Sequence, residues 1–138
     1  MKKINSPKPA IVSLLALLAL VMMFHLLVLA GLIPDTVVWA GKLSSRNEVL
    51  VFETISVIIN LILFLALLVK GGYILKSYKG SIPIIIILIF AVLFTLNTLG
   101  NLFAKTAFEL YVFTPLTLIS AILCWYIVFN RQRFSDQK

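Results

Sequence analysis

"VLVFETISVIINLILFLALLV", residues 49–69, is almost wholly apolar, yet it carries Glu53 and Asn60. A helix crosses the hydrocarbon of a bilayer with about 20 residues, and this run is long enough. Helix is the state it must adopt in lipid, because hydrocarbon offers no partner to an unpaired backbone group and the run lacks the alternation of a barrel strand. Three further runs qualify: Ala10–Ile33, Ile82–Ala104 and Leu110–Phe129. The predicted class is therefore all-α, a bundle of four transmembrane helices in a single domain over residues 1–138.

Composition agrees. The 138 residues are 62% hydrophobic and 12% charged, with a mean hydropathy of +1.11. A soluble chain of this size has too much surface to hide so much apolar area. The net charge of +7 is spread over short segments between the runs. That distribution fits a membrane surface and argues against a nucleic-acid partner, which would want a basic patch on a soluble fold. Cys124 is the single cysteine, so no internal disulfide forms and dithiol redox chemistry is excluded. With one histidine and one cysteine, a zinc site is not expected, and no motif implies a cofactor.

Local signals mark the ends of the runs. Pro7 and Pro9 precede the first, where proline suits a helix start. Ser45-x-x-Glu48 is a capping-box pattern before the second, and Gly71-Gly72 follows it. Ser81-Ile82-Pro83 opens the third. The fourth starts almost at once, so the last two runs form a tight hairpin. The first run has a basic start and an Ala30 that resembles a cleavage position. Its length of about 24 residues nevertheless exceeds the usual apolar stretch of a signal peptide, about 7–15, and it is expected to remain as a span.

Lysine and arginine set the orientation. Lys2, Lys3, Lys8, Lys70, Lys76, Lys79, Arg131, Arg133 and Lys138 fall on one side. Lys42, Arg46 and Lys105 fall on the other. Both termini are thus expected in the cytoplasm. The acids are reversed: Asp35, Glu48, Glu53 and Glu109 lie toward the outside and Asp136 toward the inside.

At about 1.5 Å per helical residue, His25, Glu53, Asn97 and the Thr114-Pro115 pair all fall roughly 23–25 Å from the cytoplasmic ends of their spans. Each span thus places a polar or helix-breaking residue at one level in the outer part of the membrane. Asn60 lies one heptad below Glu53, with Ser56 between them. Asn97 and Asn101 share a face and should point into the bundle, because an unpaired amide in lipid is costly. The candidate ligand-binding residues are His25, Glu53, Asn60, Asn97, Asn101 and Glu109.

Each has a plainer reading. The asparagines can be interhelical glue, worth about 1 kcal/mol or less per bond. Lys105 and Glu109 can be a solvated pair in the outer turn. His25 can make one structural hydrogen bond, and Glu53 can sit nearer the interface than the count implies. Pro115 removes a backbone donor and should free the carbonyl of Tyr111. Trp39 and Tyr111 read as interfacial anchors.

The stretches "FHLLVLAGLIPDTVVWAG" (24–41) and "LFTLNTLGNLFAKTAFELYVFTPLTL" (93–118) resemble a family of small four-helix bacterial membrane proteins of unknown function. The resemblance rests on His25, Trp39, Gly41, Asn97, Gly100, Asn101, Glu109 and Phe113-Thr-Pro-Leu116, and covers about a third of the chain. Asn97 and Asn101 stand where that pattern carries Arg and Asp, so a charge-dependent role is not expected at those positions. The resemblance implies the bacterial inner membrane and adds no activity.

Three functions compete. The first is a small-molecule binding or transport component with a pocket open to the outside, acting as a homo-oligomer or a subunit. The second is an interaction or assembly protein whose polar layer holds the helices in register, with another membrane protein as partner. The third, with least in its favour, is a membrane enzyme on a lipid-soluble substrate, with His25 and Glu53 as acid and base. No nucleophile elbow, metal cluster or phosphate loop supports it.

Overall fold

A computed structural model describes residues 7–39, 42–104 and 106–130. Four helices run through it: α1 (Lys8–Leu29), α2 (Arg46–Lys70), α3 (Ile82–Leu102) and α4 (Thr114–Phe129). A 3₁₀ turn, Asp35–Val37, sits between α1 and α2, and a π-helical segment, Glu109–Phe113, leads into α4. No strand occurs among the described residues. All four helices are long and apolar enough to cross a membrane, with the π segment counted into the fourth.

The ends follow from local chemistry. Pro7 caps α1, whose amide donors are unsatisfied there in any case. At the other end, Gly31 adopts φ +75°. This lets Leu32 N–H donate to the Leu27 carbonyl at 2.9 Å and Gly31 N–H to Val28 at 2.9 Å, so α1 stops at Leu29, short of the expected Ile33. Gly72, at φ +74°, ends α2 in the same way, with Tyr73 N–H on Leu68 at 2.9 Å and Gly72 N–H on Val69 at 3.1 Å. Both are left-handed C-terminal motifs that glycine adopts without strain. Ser45 caps α2, its Oγ accepting from Glu48 N–H at 3.3 Å. The Glu48 carboxylate accepts instead from Ser44, from N–H at 2.7 Å and Oγ at 3.0 Å, one residue farther back than a capping box reaches.

The helices pack in chain order around a ring: α1 on α2, α2 on α3, α3 on α4 and α4 on α1, with α3 and α4 the closest pair. Ala10 and Ile11 at the start of α1 share a buried cluster with Leu67 near the end of α2, Ile87 near the start of α3, and Cys124 and Ile127 on α4. The helices therefore alternate in direction. This end, termed the base, carries the start of α1, the end of α4 and the 71–81 connection. The opposite end, termed the mouth, carries the other two connections. The outward faces are apolar on every helix: Leu20, Ile58, Leu96 and Ile122 are each more than half exposed. Surface of this kind suits lipid as its solvent.

Candidate functional site

Polar side chains on the inner faces collect in the mouth half. Several are consumed by their own helices, as usual in apolar surroundings. The Ser56 hydroxyl donates to the Phe52 carbonyl at 2.9 Å. Asn60 Nδ2 donates to the Ser56 carbonyl at 2.8 Å. Thr98 Oγ1 is 3.0 Å from Thr117 Oγ1 and ties α3 to α4.

Glu53 is different. It is 1% exposed and lies on the second turn of α2, above the packed base. A carboxylate there would lose its hydration without return unless strong donors replaced it. Two do. His25 Nδ1 of α1 lies 2.6 Å from Oε2, and the indole Nε1 of Trp39 donates to Oε1 at 2.9 Å. Both oxygens are engaged, in geometry expected of charge-assisted bonds. Trp39 reaches inward from the α1–α2 connection with φ +54°. That conformation is costly for a bulky residue and persists where surrounding contacts enforce it. Here the contacts are the Glu53 bond and the Phe52 ring, 5.1 Å between centroids. The interfacial anchor expected of Trp39 is thus a strut. Tyr111, 75% exposed, does face outward.

Arg46 braces the same corner. Its guanidinium bonds Asp35 Oδ1 at 2.6 Å and the carbonyls of Val28 and Leu29 at 3.0 and 2.8 Å. It thereby caps α1 from the first residue of α2. In the sequence it counted only as a loop charge.

The fourth wall is set by Pro115. The preceding backbone opens into a π turn over Glu109–Phe113, with Thr114 N–H donating to the Glu109 carbonyl. The disruption expected at Tyr111 is absorbed by this wider turn. Glu109 then faces inward, its Oε2 accepting from Thr106 Oγ1 at 2.8 Å. Lys105, the expected partner of Glu109, lies outside the described residues, as does Gly41.

These walls enclose a cavity of about 420 Å³. His25, Glu53, Asn60, Asn97, Asn101 and Glu109 all line it, brought together from three helices and the π segment. Its apolar wall includes Phe24, Trp39, Phe94 and Phe113. Asn97 is exposed and Asn101 half-buried, so the cavity is open on the α3 side. Neither amide makes a side-chain hydrogen bond to another described residue, whereas His25, Glu53, Asn60 and Glu109 all do. Among the described residues no three metal-binding side chains gather. Trp39 and Arg46 are the contributors that sequence reading missed. A bulky residue in a short polar loop and an arginine at a helix start were the available signals.

Compared with known proteins, the chain matches no family model, no curated protein and no solved structure.

Proposed function

We propose that the chain is a multi-pass protein of the bacterial inner membrane that binds a small molecule in the cavity at its mouth, as a binding or transport component. Positive charge weighted nine to three toward one side supports both termini in the cytoplasm, which turns the mouth outward. The resemblance to small four-helix bacterial membrane proteins supports the source.

One observation carries the reading. Asn97 and Asn101 stand on the cavity wall without side-chain hydrogen bonds to other described residues. Amides serving as interhelical glue would be bonded across helices, whereas amides awaiting a ligand stand like these. The test is thermal unfolding in detergent of Asn97→Leu. The expected result is a change within about 0.5 kcal/mol or a gain, since placing an amide in apolar surroundings costs stability that leucine does not. A loss well above 1 kcal/mol would assign the amide to folding and sink the reading.

The assembly reading keeps one observation of its own. The His25–Glu53–Trp39 network joins two helices and a loop with both Glu53 oxygens engaged, as a purely structural layer would. The enzyme reading keeps least in its favour, since no nucleophile elbow or phosphate loop occurs in the sequence and no three metal-binding side chains gather among the described residues.

A further inference from the structure

The charges on the cavity wall are unequal, and resting on the small-molecule reading above, they define the ligand. Both Glu53 oxygens are engaged, by His25 Nδ1 at 2.6 Å and Trp39 Nε1 at 2.9 Å. Glu109 is less engaged among the described residues. Its carboxylate accepts from the Thr106 hydroxyl, and no described lysine, arginine or histidine pairs with it. Among the described residues no lysine or arginine lines the cavity. Arg46, at the same end, is taken by Asp35 and the carbonyls closing α1. Among the described residues, Glu109 is thus the carboxylate on the cavity wall that no cationic side chain faces.

The surroundings of that charge suit a cation. Phe24 and Phe113 line the cavity and pack edge to face at 5.6 Å, and both rings contact Phe108. Aromatic faces attract cations through their quadrupole, more strongly where water is excluded. The amide oxygens of Asn97 and Asn101, unbonded among the described residues, supply acceptors for N–H donors. The remaining wall is mostly apolar, and its hydroxyls, Ser56, Thr117 and Ser120, donate to carbonyls of their own helices. We infer that the cavity takes an organic cation: a protonated amine on an apolar or aromatic body, with the ammonium on Glu109 and the body against the phenylalanines. An anion would meet Glu109 unshielded, and a neutral molecule would leave its charge unanswered.

The test uses the full chain in lipid nanodiscs, titrated calorimetrically against empty discs. The probes are three of similar shape: phenethylammonium, 2-phenylethanol and 3-phenylpropionate. The cation should bind at least roughly tenfold tighter than the alcohol, with the anion weakest. Glu109→Gln should erase that preference while leaving the alcohol's affinity as it was, which also shows that the variant is folded. Asp35→Asn, off the cavity, should keep the preference. Equal binding of alcohol and cation, or a preference that survives Glu109→Gln, overturns the cation inference and leaves small-molecule binding standing. Binding of none of the three overturns both. Binding of the cation only after Lys105→Gln would make the chain's own ammonium the occupant and overturn the proposal.

Discussion

At the base, Leu14, Leu63, Ile87 and Ile127 are fully buried and touch across the bundle axis. At the mouth, His25, Glu53, Asn97 and Glu109 line open space, with Asn97 itself exposed. The same four helices run through both halves, so the difference lies in their side chains and in the π turn and α1–α2 connection that complete the mouth. The base is held by close packing, in which each apolar group fills the hole left by others. The mouth is held by struts: His25 and Trp39 on Glu53, Arg46 on the end of α1, Thr98 on Thr117. Packing leaves no room for a ligand; struts keep walls apart at fixed separation. The cost of the struts is a buried carboxylate that depends on its partners.

That contrast can be broken at either end. The largest effect is expected at His25. His25→Ala leaves Glu53 Oε2 without its partner in a buried site that Trp39 alone still serves, and unfolding measurements in detergent should show a loss of about 3–5 kcal/mol. Replacing both partners with leucine should recover most of it, because the charge then disappears with its counter-charge. Failure of that double variant to recover would mean the pair does more than balance itself. Leu14→Ala attacks the base. It should cost about 2–5 kcal/mol through lost packing and the hole left behind, while ligand affinity at the mouth stays unchanged. A parallel fall in affinity would show that the two halves are coupled. The smallest effect sharpens the picture of the struts. Trp39→Phe removes one bond to a charged acceptor and keeps most of the ring, so a loss of about 1.5 kcal/mol is expected.

The helices and their number were legible because apolar runs of membrane length have few alternatives. The level shared by His25, Glu53 and Asn97 was also legible, since helix rise converts residue counts to depth. Their convergence on one cavity with Asn60, Asn101 and Glu109 was foreshadowed by the expected inward face of the asparagines. The rest was hidden for definite reasons. Ile33 looked like part of the first span because it is apolar, but Gly31 turns the chain before it. The role of Trp39 depends on a left-handed backbone at a tryptophan, which no local preference suggests. Arg46 finds its partners 11 to 18 residues away, beyond any helical spacing. Glu109 and Lys105 read as a pair because they lie about one turn apart in sequence; Lys105 is outside the described residues, and what local preference did not suggest is the π turn from which Glu109 lines the cavity.

The π turn at Glu109–Phe113 holds one residue more than an α-helical turn would use for the same span. Each residue of an α-helix advances the wall by about 100°. Deleting a single residue there lets α4 run straight into the hairpin and swings Glu109 and its aromatic neighbours around the helix toward lipid. The extra residue is thus a phase adjustment: the apolar seam of α4 keeps its register against α3 below, and the turn above it faces a different direction. A change in length, with no change in chemistry, would silence the mouth and leave the base intact.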